Sequence, residues 1–426
     1  MQRKEGKKIF QGYWVVAGAW LAMFVSAGSQ YSFAVFQPVL LEEFGWTRGM
    51  ISTGFTLNMI LMIGMGLIGG ILVDKIGPKR TVIIGGVIGA VGMALLGSVT
   101  KLWHFILIYG ALLPVGLGLS YYVVNVSTVR RWFVRRASTM VAVALTGSGL
   151  GIVFWTPVAH QFIKNFGWRT GYVWFGVFLL IGCVLGGLLL KKNPESYGLH
   201  PDGDIPSPDT DAQKDPPVLE VIWGVKDVLR TSTWWTQILG QSGYNIAIAG
   251  LLAHLITWGA NDIGIPMGTM VSIYSVGFVS FAVVGRLVSG VVSDWLIARY
   301  RYSRKPMLYF CSFGVAGALF LCPAVEGPRT LIAASCLLGF CYGSGLSIWP
   351  VYLADLFGVG NLPVLFGLGG VFNGPMPALG PVLYGFSYDI TGSYNTAFII
   401  TGILCVLSGI AIYFIRVPVK SKPLTV

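Results

Sequence analysis

Apolar stretches of about 20 residues recur from one end of the chain to the other, with short polar stretches between them. This is the length that an α-helix needs to cross a bilayer. The pattern marks out twelve such segments and predicts twelve transmembrane helices in an all-α membrane protein. Their approximate bounds are 12–40, 50–73, 80–99, 103–128, 138–163 and 169–190 in the first half of the chain, and 233–261, 268–292, 305–324, 329–354, 362–388 and 394–416 in the second.

An internal repeat divides these segments into two sets of six. Gly70-Ile-Leu-Val-Asp74 ends the second segment, and Gly290-Val-Val-Ser-Asp294 ends the eighth, 220 residues later. Arg131-Trp-Phe133 and Asp355-Leu-Phe357 end the fourth and tenth segments at a similar offset. Two pseudo-symmetric halves are typical of transporters whose binding site lies near the bilayer midplane.

The domain boundaries follow from the repeat. We expect an N-terminal half at residues 1–190, a polar linker at 191–232 and a C-terminal half at 233–426. The middle of the linker, residues 198–217, is rich in Pro, Asp and Gly, which is typical of a flexible connection. Residues 219–229 are predicted to form a short amphipathic helix on the membrane surface.

Composition supports a membrane protein, because 54% of the residues are hydrophobic and 11% are charged, whereas soluble domains average about 25% charged residues. The net charge of +12 does not indicate a nucleic-acid partner. Of the 29 Lys and Arg, 23 lie in the two termini, the linker and the alternate loops on the same side, and five, Arg48 among them, lie in the other loops. This asymmetry predicts that both termini and the linker are cytoplasmic.

Enzymatic chemistry and cofactors are not expected. The six cysteines lie in or beside apolar segments without metal-ligand spacing, and no nucleophile–base set or phosphate-binding loop is evident. The basic start, residues 1–8, precedes a long apolar segment without a cleavage pattern and predicts an uncleaved first helix. A membrane sensor is disfavoured, because the linker of about 40 residues is too short for a signalling domain.

Arg286 is the main candidate for substrate binding. The segment 271–292 contains no other Lys, Arg, Asp, Glu or His. A permanent cation at bilayer depth costs at least a few kcal/mol and usually faces a partner or a watery cavity. It is therefore a suitable anchor for a small carboxylate. The alternative is snorkelling to the interface, since Asp294 follows eight residues later, about 12 Å along a helix.

The loop after the second segment resembles the signature of the major facilitator superfamily, G-x-x-x-D-[RK]-x-G-[RK]-[RK], with one additional residue, Pro78. In that comparison Gly70 permits close helix packing, and Asp74 ends a helix where it can pair with cations. The resemblance implies a gating motif that contributes to alternating access, composed of Gly70, Asp74, Lys75, Arg80, Gly290 and Asp294.

Within that superfamily the chain resembles the monocarboxylate transporter and oxalate–formate antiporter branch. The resemblance lies in Gln30-Tyr31-Ser32, in Arg131-Trp-Phe133 with the glycines at 147, 149 and 151, in Gly285-Arg286, and in the stretch 194–203, which is similar to bacterial members. It implies a multi-pass, monomeric protein of the bacterial cytoplasmic (inner) membrane.

Two departures from the branch bear on the substrate. Ala282 stands where human-type members carry an acidic residue implicated in proton coupling, and the segment 362–388 lacks the lysine with which the oxalate antiporter holds its dianion. A single fixed cation matches a monoanion, because a dianion would leave one charge unpaired. We therefore expect transport of L-lactate, pyruvate or a similar monocarboxylate, with a proton as the coupled ion. The alternative is an oxalate/formate-type organic anion antiporter.

Further candidates for the substrate pathway are polar or aromatic residues inside apolar segments. Packing or a bridge between helices is the alternative for each. They are Tyr31, Tyr121, Asn125, Leu145, Tyr342 and Asn373. His254 is the candidate proton carrier, because the ordinary pKa of histidine is about 6.5; the alternative is a buried, hydrogen-bonded histidine. Gly374-Pro375 is predicted to break the eleventh helix.

Overall fold

The computed structural model describes residues 10–133, 137–203, 223–300, 303–357 and 362–418. These residues form helices, turns and loops, with no β-strand among them. The predicted all-α class is therefore confirmed.

The first half of the chain contains eight α-helices. They are α1 (Gln11–Tyr31), α2 (Phe33–Phe44), α3 (Arg48–Ile76), α4 (Pro78–Leu96), α5 (Leu102–Leu107), α6 (Leu113–Ser120), α7 (Tyr122–Trp132) and α8 (Ala137–Leu189). A π-helical turn, Ile108–Leu112, connects α5 to α6.

The remaining helices follow the linker. They are α9 (Val225–Leu229), α10 (Ser232–Thr257), α11 (Met267–Ser272), α12 (Phe281–Tyr300), α13 (Lys305–Leu321), α14 (Pro328–Phe357), α15 (Leu362–Asn373), α16 (Met376–Thr391) and α17 (Asn395–Phe414). π-Helical turns extend α10 at Trp258–Asp262 and connect α11 to α12 at Ile273–Ser280. Helix α9 lies within the predicted surface helix, of which residues 219–222 lie outside the described part of the chain.

Nine helical stretches of the described chain are long and apolar enough to cross a membrane. One of them, Met140–Leu189, holds two helices, because Gly167 (φ 78°) adopts a left-handed conformation and reverses the chain. Helix α10 and the pair α15–α16 occupy the positions predicted for the seventh and eleventh segments. The eleventh segment is broken at Gly374-Pro375 as predicted, since α15 ends at Asn373 and α16 begins at Met376.

The chain forms two compact units. The first contains Met1–Phe36 and Leu57–Gln213, and the second contains Gln37–Thr56 and Lys214–Val426. The segment Gln37–Thr56 therefore belongs to the second unit by its contacts, although it precedes the rest of that unit by more than 150 residues. Helix α3 begins in the second unit and ends in the first.

Glycines permit a close helix contact in the first unit, where α1 packs along α8. A Cβ on Gly147 would lie 2.5 Å from the Trp20 carbonyl oxygen, and one on Gly151 would lie 2.2 Å from that of Phe24. Real Cβ atoms do not approach backbone oxygens so closely, so only glycine fits these positions. This part of the glycine run thus acts in packing, as is usual between membrane helices.

The same device joins α12 to α14 in the second unit. A Cβ on Gly285 would lie 2.1 Å from the Phe340 carbonyl oxygen, and one on Gly343 would lie 1.7 Å from that of Ala282. The two backbones are therefore in contact at Ala282 and Gly285, in the turn directly before Arg286. This contact determines the position of the Arg286 backbone relative to α14.

We expect Gly285→Ala to destabilise the protein by about 1–3 kcal/mol, because its methyl group would force α12 and α14 apart. The measurement is thermal unfolding of the purified protein in detergent. Gly290→Ala is the matched control, because it lies on the same helix and its Cβ would meet nothing within 4 Å. Alanine is favoured over glycine in helices by up to about 1 kcal/mol, so the control should unfold at the same temperature or higher. Equal losses in the two variants would contradict the assigned contact.

Candidate functional site

Arg286 lies on α12 and is half-buried. Its Nε atom is fully buried and has no hydrogen-bond partner among the described residues. A buried guanidinium nitrogen without an acceptor carries an uncompensated desolvation cost. The predicted anchor residue is therefore in a state that an anionic ligand would relieve.

Two serine hydroxyls, one on α14 and one on α12, contact the backbone of Arg286. The Ser347 hydroxyl donates a hydrogen bond to the Arg286 carbonyl oxygen (3.0 Å), and Ser289 donates to the same oxygen (3.4 Å). The two serine hydroxyls are 3.1 Å apart. Together with the glycine contacts, these bonds hold the base of the arginine side chain in place.

Tyr342 is a predicted substrate-binding residue close to Arg286 in the second unit. It lies on α14, and its hydroxyl is close enough to the guanidinium for an electrostatic interaction. Its ring stacks on Phe278 (centroids 5.8 Å apart), which belongs to the π-helical turn before α12. Its carbonyl oxygen accepts a hydrogen bond from the Tyr244 hydroxyl (2.8 Å). Such π-helical turns are frequent at functional sites.

Asn373 forms a bridge between helices. At the end of α15, its side chain donates to Gln241 Oε1 and accepts from the Ser242 hydroxyl (3.2 Å). Both partners lie on α10. The residue thus tethers the broken eleventh segment to the seventh beside the break.

Two predicted residues of the first unit lie at a break in the fourth segment. The chain leaves the helical conformation at Tyr121 (φ −102°, ψ −119°), between α6 and α7. Asn125 is fully buried, and its Nδ2 donates to the carbonyl oxygens of Ser120 (2.8 Å) and Tyr121. Ser120 is the last residue of α6 and Tyr121 is the N-cap of α7, so both carbonyls lie at the break. The Oδ1 atom of Asn125 is buried without a partner in the described chain.

The other two substrate-binding candidates of the first unit are Tyr31, at the end of α1, and Leu145, on α8. Tyr31 is the last residue of α1 and is half-buried. Directly after it the chain turns into α2, and the Ser32 hydroxyl donates to the Gly28 carbonyl oxygen (2.6 Å). Leu145 is half-buried on α8, one turn from the glycines that contact α1.

His254 is 1% exposed in the second unit, near the end of α10. Its Nε2 lies 2.9 Å from the Ser52 hydroxyl and 3.1 Å from the Pro381 carbonyl oxygen, and its Nδ1 lies 2.8 Å from the Tyr394 hydroxyl. Because a carbonyl only accepts, Nε2 carries the hydrogen and Nδ1 accepts from Tyr394. The neutral imidazole is therefore fully hydrogen-bonded in this conformation.

The signature loop contains an ion pair within the first unit. Arg131, at the end of α7, donates to the Asp74 carboxylate, and Lys192 Nζ donates to the Asp74 carbonyl oxygen (2.6 Å). Gly77 adopts φ 85°, and the additional residue, Pro78, is the first residue of α4, where proline is favoured. Lys75 and Arg80 are exposed.

The close approach predicted at Gly70 occurs one residue earlier. A Cβ on Gly70 would lie at an ordinary 3.7 Å from Val123, whereas one on Gly69 would lie 2.8 Å from Val124. In the second unit, the side chain of Asp294 lies outside the described residues. There Arg304 donates to Asp355 (2.7 Å) and to the Ser293 hydroxyl (3.1 Å).

A family model described as the Major Facilitator Superfamily matches residues 19–301 and 295–425. The chain therefore belongs to the major facilitator superfamily, and it is a membrane transporter and not an enzyme. The resemblance to the monocarboxylate transporter branch is also confirmed.

Several known proteins that are similar to this chain are named monocarboxylate transporters. The chain is 24% identical to monocarboxylate transporter 12 of Rattus norvegicus, over 96% of this chain and 86% of that protein. It is 27% identical to monocarboxylate transporter 13 of Bos taurus, over 92% and 86%. It is 26% identical to monocarboxylate transporter 2 of Homo sapiens, over 93% and 84%.

Solved structures support the fold. A bacterial homologue of the human lysosomal transporter Spinster, in an inward-facing and occupied conformation, matches with a TM-score of 0.74 over 96% of this chain and 97% of that chain, at 11% identity. At this identity the likeness concerns the fold alone.

The buried Asn125 and the exposed Asp74 test which contacts stabilise the first unit. Asn125→Leu should cost about 1–3 kcal/mol, because it removes the side-chain donor to the buried Ser120 carbonyl oxygen. Asp74→Asn should cost less than about 1 kcal/mol, because its pair with Arg131 is solvent-exposed. Thermal unfolding in detergent measures both. A larger loss in Asp74→Asn would overturn this ranking.

Proposed function

We propose that this protein is a secondary active transporter of small monocarboxylates such as L-lactate or pyruvate. It imports the anion together with a proton by alternating access. It resides in the bacterial cytoplasmic membrane, with both termini and the linker in the cytoplasm.

The observation that carries this proposal is the buried, unpartnered Nε of Arg286 in an otherwise apolar segment. A carboxylate matches the planar guanidinium and can accept two parallel hydrogen bonds from it. The ligand would supply the acceptor that the described residues do not offer to Nε. In this proposal Arg286 binds the carboxylate, and the neighbouring Tyr342 hydroxyl contributes a further hydrogen bond.

The charge of the substrate follows from the surrounding residues. No Lys or Arg occurs in α15 or α16, and the position four residues before Arg286 is Ala282, which is 5% exposed and packed against Gly343. A single cation balances a monoanion. A dianion would retain one uncompensated charge in a medium of low dielectric constant.

We assign the remaining candidate residues to three roles: lining the substrate pathway, supporting it, and gating. We propose that Tyr31, Tyr121 and Leu145 line the substrate pathway. Asn125 and Asn373 support it indirectly, because their side chains are engaged at helix breaks, with the buried Asn125 Oδ1 as the one open acceptor. Asp74 with Lys75, Arg80 and Gly70, and Asp294 with Gly290, form the gating motifs.

Proton coupling is tested by uptake of labelled L-lactate into proteoliposomes. With an inward proton gradient we expect accumulation above equilibrium, because proton entry drives the anion with it; without a gradient only equilibration is expected. Accumulation that instead requires internal anion, with no effect of the gradient, would establish the alternative, an anion antiporter. Absence of uptake in both conditions would remove L-lactate as substrate.

The anchor is tested by substitution of Arg286. Arg286→Ala should reduce uptake to the level of empty liposomes, and Arg286→Lys should reduce it at least about tenfold, because lysine keeps the charge but loses the fork geometry. The matched control is Arg299→Ala, which removes an exposed arginine from the last turn of the same helix. Normal uptake by Arg286→Ala would refute the anchor.

A further inference from the structure

A buried arginine of the second unit, Arg48, is paired with a carboxylate. It begins α3, is 8% exposed, and forms a two-pronged ion pair with Asp262 in which Nη1 and Nη2 lie 2.6 and 2.9 Å from the carboxylate oxygens. Both residues belong to the second unit. Charge-assisted pairs with this fork geometry are the strong ones.

Aromatic rings enclose this ion pair. The guanidinium lies 3.5 Å from the ring centroid of Tyr388 and 4.9 Å from that of Tyr394. The Tyr388 hydroxyl donates to Asp262 (2.8 Å), and the Tyr394 hydroxyl is close enough to Arg48 for an electrostatic interaction. The cation therefore has hydrogen-bonding and cation–π partners at once.

The start of α3 is held to α16 by its backbone. Asp389 accepts hydrogen bonds from the backbone N–H of Arg48 (3.0 Å) and of Gly49 (2.8 Å), as a carboxylate does at a helix N-terminus. The Thr56 hydroxyl donates to the Ala378 carbonyl oxygen (2.6 Å). We call the group Arg48, Asp262, Tyr388, Asp389 and Tyr394 the Arg48 clasp, because it attaches segment 37–56 to the rest of the second unit.

His254 contacts the Arg48 clasp through Tyr394 and lies next to Ser52. Its Nδ1 accepts from the hydroxyl of Tyr394, whose ring lies 4.9 Å from the guanidinium of Arg48, so one tyrosine side chain separates the imidazole from the guanidinium. Its Nε2 contacts Ser52, whose hydroxyl also donates to the Arg48 carbonyl oxygen (2.7 Å). The histidine is therefore linked to Arg48 through both side chain and backbone.

We propose that His254 is a proton-binding site and that its protonation opens the Arg48 clasp. The inference deepens the proposed symport, on which it rests, by naming the element through which the proton acts. The proton adds to Nδ1, the nitrogen that now accepts from Tyr394. Tyr394 must then turn its own hydrogen away, and the Nδ1–H of an imidazolium points at an oxygen that already interacts with a guanidinium.

The electrostatic reason is repulsion between two cations. The charged groups around His254 are Arg48, Asp262 and Asp389, and the other titratable groups are the hydroxyls of Tyr384, Tyr388 and Tyr394. Both carboxylates are already occupied, Asp262 by the fork of Arg48 and Asp389 by two backbone N–H groups. The new charge therefore acts mainly on the nearest cation, that of Arg48, and weakens its hold in the clasp.

The sign of the pH dependence follows. The clasped state contains neutral His254, and the open state accepts the proton more readily, so the clasp is stable at high pH and opens as the pH falls. Binding is reciprocal, and opening the clasp must favour proton uptake to the same extent. For one linked proton the ratio of open to clasped protein rises at most about tenfold per pH unit.

The test uses spin labels within the second unit. Glu42→Cys and Thr269→Cys introduce labels at exposed positions of α2 and α11, and Cys336→Ser removes the one native cysteine that is not fully buried. Pulsed electron–electron double resonance then records the distribution of distances between the two labels in proteoliposomes from pH 8 to pH 5. Acidification should increase a second, longer-distance population.

Three variants make the test specific. With His254→Gln, which cannot titrate, the populations should be constant over this range. With His160→Gln, the matched change at a half-buried histidine on α8, the pH response should equal that of the parent protein. With Arg48→Gln, the longer distance should predominate already at pH 8 and change less than twofold on acidification.

A parent protein without a pH response, or an unchanged response in His254→Gln, would overturn the proposal. If His254→Gln does not fold, a wild-type pH response in Arg48→Gln would overturn it equally. No substrate is present, so the outcome is independent of the transport assays. A pH response without lactate uptake would refute the proposed substrate but support the proposed role of His254 in the clasp. Proton-driven lactate uptake without a pH response would support the substrate and refute that role of His254.

Discussion

The structure depends on one constraint: inside a bilayer, every backbone polar group must find its partner within the protein. This forces the backbone into helices, and polar side chains contact the backbone where a helix is interrupted. At the turn after α1, the Ser32 hydroxyl joins the Ser32 backbone N–H in donating to the Gly28 carbonyl oxygen; between α6 and α7, Asn125 donates to the carbonyl oxygens of Ser120 and Tyr121. At the π-helical turn after α5, Asn58 donates to the carbonyl oxygen of Tyr109 (2.7 Å). The buried polar side chains thus follow the irregularities of the backbone.

The buried Arg48 and the half-buried Arg286 differ in how far the protein compensates their charge. Arg48 has a carboxylate and two aromatic rings as partners, so its charge is compensated by the protein. Arg286 leaves Nε without a partner in the described chain, while glycine contacts and serine hydroxyls fix its backbone. A rigidly placed cation whose compensation is incomplete is suited to a transient anion, because the anion can both bind and leave.

The sequence predicted some of these features well and missed others for identifiable reasons. The position of Arg286 in an apolar helix was predictable because a charge in an apolar segment is conspicuous by itself; its role as a carboxylate anchor stays a prediction. The pairing of Asp74 with a cation followed from the signature loop, although the tight packing expected at Gly70 belongs to Gly69. The Arg48–Asp262 pair was missed because the two residues are 214 positions apart in the chain. In addition, an arginine at the edge of a transmembrane segment looks like the other loop cations, which were used only to predict the orientation in the membrane. The only available signal was the coincidence of an arginine before the second segment and an aspartate after the seventh.

By itself, the sequence determined that the chain is a helical membrane protein, where its helices lie, that it repeats in two halves, and that one cation stands in an apolar helix. These properties depend on local composition and on the thickness of the bilayer. Only the tertiary structure decided that segment 37–56 joins the second unit, that α12 and α14 touch through glycines, and that Asn125 and Asn373 serve a helix break and a helix bridge. It also decided that His254 and Arg48 contact the same tyrosine, Tyr394. Apart from the local bonds of Asn125, these contacts join residues distant along the chain, and they require helices to be placed to within a few tenths of an ångström, which no periodicity encodes.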